Sequence, residues 1–270
     1  MKIKHFEEYD CVYDENDNLI EVYENQILIC RYKYNNHSKI TREDNLLLNV
    51  SIEYKYNELD KLIQRSFYNY TLNNLENVKY SDNFAYDLSN PNLLISYNDE
   101  SFSYDNNGKT NIFRNAKLEI TKDNQLIALD KNTFTYNKNN NRTTKIIGES
   151  KTKYYRKKNK LISQDNGIKL KFIYHKNLLV GFKCNNKKYY YKKNYKNDIV
   201  GIYNNKHALI CRYVYDYFGN HKIFLNNENY YDLADINPFR FNCNYFDIET
   251  GLYFNNGKYY DSEINCYLNN

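Results

Sequence analysis

The seven residues VYDENDN (Val12–Asn18) decide the expected fold, because the same pattern recurs along most of the chain. An aromatic or valine residue, often with one spacer, precedes a tyrosine, then Asp, Asn or His, then a polar turn. The pattern returns as YKYNNHS (32–38), YKYNELD (54–60), FSYDNNG (102–108), FTYNKNN (134–140), FIYHKNL (172–178) and VYDYFGN (214–220). The first three repeat tyrosines lie 21 and 22 residues apart, about the length of one β-hairpin with its connection. The pattern therefore predicts a unit of strand, turn, strand.

A longer repeated sequence and the alternation of apolar and polar side chains both favour strands throughout. ILICRYKY (27–34) and ALICRYVY (208–215) share L-I-C-R-Y-x-Y across about 180 residues. Apolar or tyrosine side chains occupy every second position from Leu46 to Tyr56, which predicts one half-buried strand there. Only the segment 69–92 is irregular enough for a turn of helix. Because a single hairpin is marginally stable, we expect the hairpins to stack into one curved all-β sheet.

The composition indicates a folded protein that packs through aromatic rings. Its 270 residues include 32 Tyr and 14 Phe but no Trp. No stretch is long and apolar enough to span a membrane, and the first residues lack the apolar core of a secretory signal. We expect no membrane association and a cytoplasmic location as synthesised. The six cysteines are scattered without paired spacing, and we expect free, packed thiols.

Residues 151–196 form a strongly basic segment with fifteen Lys or Arg against the single acid Asp165. Its tyrosines lie between its lysines, so the segment is a candidate for binding single-stranded nucleic acid through charge and base stacking. A second interpretation is that the lysines form the solvated face of strands and protect them from aggregation. A third is that they receive an acidic partner. The candidate partner-binding face comprises Lys151, Lys153, Arg156, Lys157, Lys158, Lys187, Lys188, Lys192 and Lys193.

The carboxylates that follow the repeat tyrosines are better explained by structure than by catalysis. Asp14, Asp105 and Asp216 occupy equivalent positions, and a residue used once per repeat is expected to begin a turn through side-chain to backbone hydrogen bonds. His207 and Cys211 have a spacing that suits zinc, but Cys211 repeats the position of Cys30 and is expected to pack between strands. With no nucleophile elbow or phosphate loop, we expect no enzymatic activity, no cofactor and no metal.

The stretch NPFRFNCNYFDIETGLYFNNGKYYDSE (Asn237–Glu263), called the terminal motif below, predicts two hairpins that close the sheet. Asn237 and Pro238 predict a bend, after which Phe239–Phe241 is expected to begin a strand. Glu249–Gly251 forms the first turn, and Asn256–Gly257 is a strong type I′ hairpin signal. Arg240 leaves two interpretations open. It is either a buried cation paired with Asp247 or Glu249, or an exposed strand charge that contributes little.

The repeated unit resembles the YD repeat of RHS proteins, and the terminal motif resembles the RHS-repeat-associated core motif that ends their arrays. VYDYFGN (214–220) is similar to the last repeat of the family. The positions that carry the resemblance to the core motif are Asn237, Pro238, Phe239, Arg240, Tyr245, Asp247, Glu249, Thr250, Gly251, Leu252, Tyr253, Tyr259, Tyr260 and Asp261.

The resemblance implies a β-sheet shell, wound as a spiral of hairpins, that encloses a C-terminal toxin domain. Residues 1–236 would be the repeat array and 237–270 the core motif that caps the same sheet, as one structural domain. Since Asp261 is followed by Ser262 where the family has proline, we expect a truncated array without the toxin domain. Its function would be that of a structural scaffold, with export as part of a toxin system as the alternative location. Its expected partners are another polypeptide, either toxin cargo or remaining shell, or a second copy at the exposed sheet edge.

Overall fold

The computed structural model describes residues 2–158, 160–227 and 231–268. The chain divides into two compact units. The first runs to Phe102 and includes Val214–Asn220, and the second contains Ser103–Tyr213 and the chain from His221 onward. The rings of Tyr217 and Phe218 contact Tyr32 and Tyr54 within the first unit. The expected boundary at residue 236, within one structural domain, stays a prediction.

The first unit contains one antiparallel sheet whose ten strands hydrogen-bond in chain order. The strands are β1 (Lys2–Phe6), β2 (Tyr9–Tyr13), β3 (Leu19–Glu24), β4 (Ile27–Tyr34), β5 (Ile40–Asn45), β6 (Val50–Tyr56), β7 (Leu62–Asn69), β8 (Tyr80–Tyr86), β9 (Leu94–Tyr97) and β10 (Glu100–Ser101).

A second antiparallel sheet of fourteen strands also follows chain order. Its strands are β11 (Ser103–Tyr104), β12 (Thr110–Phe113), β13 (Ala116–Ile120), β14 (Leu126–Leu129), β15 (Asn132–Tyr136), β16 (Arg142–Ile147), β17 (Ser150–Lys157), β18 (Lys160–Asp165), β19 (Lys169–His175), β20 (Leu178–Cys184), β21 (Lys187–Lys193), β22 (Ile199–Asn204), β23 (Leu209–Tyr215) and β24 (His221–Leu225).

The remaining elements belong to the second unit and lead into the terminal motif. They are the helix α1 (Tyr231–Ile236), a 3-10 helix (Phe241–Cys243) and a four-stranded antiparallel sheet of β25 (Tyr245–Asp247), β26 (Leu252–Asn255), β27 (Lys258–Asp261) and β28 (Cys266–Tyr267). No helix in the described part of the chain is long and apolar enough to cross a membrane.

Most repeats build their hairpin with the same two devices, whereas the repeat at Tyr174 has the bulge but joins β19 to β20 through a two-residue turn of Lys176 and Asn177. A β-bulge directly precedes the repeat tyrosine, as between Val12 and Tyr13, and it bends and twists the strand. The next residue then accepts backbone hydrogen bonds from the turn, so that the Asp14 carboxylate receives the amides of Asn16 and Asn18. Asp105 and Asp216 act in the same way, which confirms that these carboxylates begin turns.

The all-β prediction is confirmed, and three local predictions are wrong. The strand predicted from Leu46 begins at Val50, because Leu46–Asn49 forms a turn that Asn45 stabilises by accepting the Leu48 amide. The described segment 69–92 holds strand β8 and no helical turn. Beyond Pro238, Phe239 makes only one bridge, to Tyr245, before the 3-10 helix begins.

Candidate functional site

The terminal motif packs against one face of the second sheet, called the motif-bearing face below. Aromatic rings make the contact. Phe239 meets Phe172 edge to face with ring centres 4.9 Å apart, and Tyr245 meets Tyr154 at 5.6 Å. The type I′ turn between β26 and β27 is formed as predicted, with Asn256 and Gly257 both at positive φ. Ring burial thus fixes the motif on the sheet.

A buried ion pair lies at the centre of this contact. Arg142 at the start of β16 donates to both carboxylate oxygens of Asp247, at 2.5 and 3.0 Å. Only 1% of Arg142 and 0% of Asp247 are exposed to solvent. The guanidinium also lies 4.5–5.9 Å from the centres of five aromatic rings, namely Phe134, Tyr154, Tyr245, Phe254 and Tyr259. The cation is therefore enclosed by one carboxylate and a cage of rings.

The electrostatics keep this pair ionised. Burial alone would raise the pKa of Asp247, but the charges of Arg142 and Lys145 hold it below its ordinary value. Burial alone would lower the pKa of Arg142, and the Asp247 charge reverses that effect and raises it. The bidentate geometry constrains the positions of both side chains, and removal of Asp247 would leave the buried charge of Arg142 uncompensated.

Two further cations of the sheet reach the terminal motif. Lys145 Nζ lies 2.9 Å from Asp247 Oδ1 and 2.6 Å from Glu249 Oε2. Arg114 pairs with Asp261 at 2.8 Å and with Glu263 at 2.6 Å. The motif's acids are thus matched by cations from two parts of the array, strand β16 and the turn between β12 and β13.

Arg240 is buried, but neither of its predicted environments is observed. Only 2% of its surface is exposed, so the interpretation as an exposed strand charge is wrong. Its guanidinium donates to Nε2 of His221 and lies 4.0 Å from Asp235, not against Asp247 or Glu249. The physical reason is that Asp247 is already neutralised by Arg142 and Lys145, while Arg240 precedes a 3-10 helix instead of lying in a strand beside β25.

A departure from the repeat identifies the residues that the sequence interpretation missed. The sixth residue after a repeat tyrosine is a buried leucine or isoleucine at Leu19, Ile40 and Leu62. Arg142 occupies that position after Tyr136, and His221 occupies it after Tyr215. These two substitutions contact the terminal motif through Asp247 and Arg240. A polar residue at a repeat position that is otherwise apolar was therefore the sequence signal that could have identified these contacts with the terminal motif.

Asn237 organises the entry to the motif. It is fully buried, accepts the Tyr191 hydroxyl at 2.7 Å and donates to the Phe239 carbonyl at 2.8 Å. Its amide also donates to Tyr213 Oη at 3.1 Å, and the Tyr213 hydroxyl donates to the Ala234 carbonyl at 2.6 Å. This network fixes the chain between α1 and the motif.

The other predicted motif residues complete the two hairpins. The Pro238 carbonyl accepts the Phe246 amide at 2.6 Å, and Gly251 at φ 72° donates to the Asp247 carbonyl at 2.9 Å. Thr250 lies in the same turn and donates its backbone amide to that carbonyl at 3.1 Å. The strand residues Leu252, Tyr253 and Tyr259 are buried, whereas Tyr260 contacts Tyr267 at 5.1 Å.

A cavity of about 140 Å³ lies beside these contacts. Lys145, Gln164 and Leu170 of the sheet line one side, and Pro238 and Glu249 of the motif line the other. Among the described residues, no group of three or more His, Cys, Asp or Glu side chains comes together to hold a metal. The expectations about cofactors and metals stay predictions.

A second group of buried charges lies within the first unit. Glu43 accepts hydrogen bonds from the Asn45 side chain, the Tyr54 hydroxyl and the Tyr217 amide, at 2.9–3.0 Å. Burial, with the nearby charge of Asp216, raises the pKa of Glu43 to about 7. Burial also raises the pKa of Asp216. The Glu43 side chain holds the segment Val214–Asn220 on the first sheet.

The nine residues of the predicted basic face do not share one face. Lys151, Lys153 and Lys188 are exposed on the side opposite the terminal motif, by the alternation of β17 and β21. Arg156 is half-buried near Arg142, and Lys193 approaches Cys243 on the motif-bearing face. The remaining four are Lys157 at the end of β17, Lys158 in the following turn, and Lys187 and Lys192 on β21.

The comparisons with solved structures give the fold. The crystal structure of TcdB2-TccC3 superposes with a TM-score of 0.62 at 12% identity, over 97% of this chain and 16% of that chain. The chain shares its fold with part of TcdB2-TccC3. The crystal structure of TcdB2-TccC3-Cdc42 gives a TM-score of 0.59 at 14% identity, over 97% of this chain and 17% of that chain.

Curated relatives match at the level of sequence. They include the tRNA3(Ser)-specific nuclease WapA of Bacillus spizizenii and the tRNA nuclease WapA of Bacillus subtilis, each 28% identical over 192 residues and 66% of this chain. The chain spans 8% of the length of both relatives. No family model matches.

Proposed function

We propose that this chain is a non-enzymatic YD-repeat scaffold, part of an RHS-type shell that encapsulates or docks a toxin or partner polypeptide. The observation that carries the proposal is the terminal motif, fixed on the array by the Arg142–Asp247 pair. Support comes from the fold shared with TcdB2-TccC3, an RHS and YD-repeat toxin complex. On this proposal the motif is the RHS-associated core that closes the array.

The chemistry of the site favours a structural role over catalysis. Arg142, Lys145 and Asp247 are buried and, together with Glu249, form a set of two cations and two carboxylates whose charges balance, so none of the three buried groups is poised to exchange a proton with a substrate. The repeated aspartates begin turns. A charge set that is complete without a ligand suits a clamp between two parts of a scaffold.

The partner would meet the scaffold at a sheet edge or on a sheet face. Strand β1 is exposed on both of its faces and pairs only with β2 among the residues that the structure describes. Such an edge is a template for another strand. We propose that a further segment of shell, a polypeptide cargo or a second copy of the chain continues the sheet there.

The test is to purify the tagged protein from its natural host and to identify what accompanies it. We expect size-exclusion chromatography with light scattering and mass spectrometry to find a stoichiometric polypeptide, or a self-associated form. Protease should degrade that polypeptide faster after its release than within the complex. A monomer at high concentration with no polypeptide attached would contradict the proposed docking role.

Because the curated relatives are named as tRNA nucleases, the same preparation should be incubated with total tRNA. We expect the tRNA to stay intact over hours with and without divalent cations. Cleavage that follows the protein through purification would contradict the non-enzymatic part of the proposal. The unfolded protein, treated identically, controls for contaminating nuclease.

A further inference from the structure

The face of the second sheet opposite the terminal motif carries lysines in direct register. Lys171 of β19 pairs with Lys183 of β20, and Lys183 pairs with Lys188 of β21. A neighbouring row places Lys153 and Lys169 on either side of Asp165. The name lysine face is used below for Lys153, Lys169, Lys171, Lys183 and Lys188.

The register places these lysines on the side away from the motif. Phe172, Phe182 and Tyr189 occupy one row across the same strands, and Phe172 contacts Phe239 of the terminal motif. Because side chains alternate between the two faces of a strand, residues adjacent to this row point to the opposite face. Lys171 and Lys188 are exposed there, and Lys183 is half-buried.

Three like charges in one cross-strand row are unfavourable for the isolated fold. Lysines directly opposite one another on neighbouring strands repel, since the strands lie only about 4.8 Å apart. Within the described residues, no carboxylate forms an ion pair with Lys171, Lys183 or Lys188. A partner that supplies carboxylates or phosphates would remove this repulsion.

The aromatic residues of the segment favour a polypeptide partner over a nucleic acid. Base stacking along a strand needs rings placed close enough for successive bases. Tyr154 and Tyr191 are engaged on the motif-bearing face by Tyr245 and Asn237. On the lysine face, Tyr155 of β17 and Tyr190 of β21 are four strands apart, or about 19 Å, and Tyr190 pairs with Tyr203 of β22. The rings therefore lie at the two ends of the lysine row. Charge without a continuous stacking platform along the row suits an acidic polypeptide.

We propose that the lysine face binds an acidic polypeptide segment that lies across strands β19–β21. Carboxylates one helical turn apart are separated by about 5–6 Å, close to the spacing of the lysine row. The acidic segment then pairs with Lys171, Lys183 and Lys188 in sequence. This inference concerns the face away from the terminal motif and does not depend on the scaffold proposal.

The experiment measures fluorescence anisotropy of labelled probes with the full chain. The probes are a helical peptide with glutamates at every third and fourth position, its glutamine counterpart, and single-stranded DNA and RNA of equal charge. The variant K171Q/K183Q/K188Q removes the row. The variant K33Q/K39Q/K79Q removes three exposed lysines of the first unit and is the matched control.

We expect the acidic peptide to bind with an affinity that falls steeply with salt. The row variant should bind at least tenfold more weakly, and the control variant should stay within twofold of the wild type. The melting temperature of the row variant should not fall, because its substitutions relieve the repulsion between neighbouring lysines. Each single substitution should give a partial loss, which keeps the test usable if the triple variant is unstable.

Three results would overturn the inference. The acidic peptide does not bind at low ionic strength, or both triple variants weaken binding equally, or an oligonucleotide binds more tightly than the peptide. The second result would mean that net charge alone attracts the probe. The third would assign the face to nucleic acid.

Discussion

Replacing Asp247 by leucine should destabilise the second unit by about 4 kcal/mol, because it leaves two buried cations without their shared carboxylate. Arg142 and Lys145 both contact Asp247, and only Lys145 retains another carboxylate, that of Glu249. Substitution of Arg142 by leucine should cost less, about 3 kcal/mol, because Lys145 still neutralises Asp247.

The double variant R142L/D247L distinguishes a paired contact from two independent ones. Leucine is the residue that the repeat uses at the equivalent of Arg142, and Lys145 keeps its pair with Glu249. An apolar replacement of a whole buried pair is often nearly neutral. We therefore expect the double variant to cost about 2 kcal/mol, less than D247L alone, which corresponds to a coupling free energy of about 5 kcal/mol.

Urea unfolding followed by circular dichroism measures these free energies, with tyrosine signals in the near ultraviolet reporting on packing. The exposed pair Lys117–Glu119 offers a control, since K117L should change stability by under about 0.5 kcal/mol. Single variants that cost less than about 1 kcal/mol, or a double variant that is additive, would refute the reasoning for Asp247.

Three further predictions concern the two units. Because the pKa of Glu43 is raised to about 7, the stabilising contribution of Glu43 is complete below the ordinary pKa of 4.5 and is lost as the pH rises through 7. Urea unfolding should therefore give a lower free energy of unfolding for the first unit at pH 8 than at pH 5. The variant E43Q should flatten this dependence. Y213F removes a buried hydroxyl that donates to the Ala234 carbonyl and should lower the free energy of unfolding by about 1–2 kcal/mol, and an unchanged value would contradict that contact's importance. G181A should lower the melting temperature, because its Cβ would lie 2.1 Å from the Tyr189 carbonyl oxygen, and a variant as stable as the wild type would show that β20 and β21 can separate there.

Local signals in the sequence were sufficient to predict the hairpins. The tyrosine followed by Asp or Asn sets a turn, and alternation sets which side chains are buried, so the hairpins whose turns lie within 12–18 and 32–38 follow from short-range chemistry. The strand expected from Leu46 failed because alternation continues through a turn that Asn45 stabilises. Periodicity alone does not show where a strand is interrupted.

Long-range pairing could not be predicted from the terminal motif by itself. Asp247 was expected near Arg240, seven residues away, but its partners are Arg142 and Lys145 on β16, more than 100 residues earlier. Nothing local distinguishes these cations except that Arg142 replaces the repeat's buried leucine. The physical reason is that the charge of a buried carboxylate is compensated by cations on the surface against which it packs, and in this fold that surface belongs to a distant repeat.

The packing of Val214–Asn220 with the first unit could not be predicted from nearby sequence either. The segment was recognised as a repeat, but the contact between Tyr217 and Glu43 joins residues that are 174 positions apart. A repeat pattern predicts a hairpin and does not specify which unit that hairpin joins.

Hydrogen exchange with mass spectrometry tests most directly whether the terminal motif is clamped on the array. The account predicts that amides of β26 and β27 exchange as slowly as those of β16–β18. In D247L both sets should exchange faster while β2–β6 stay unchanged. Wild-type β26 and β27 amides that exchange at the rate of exposed turns would contradict the clamp, and with it the scaffold built upon it.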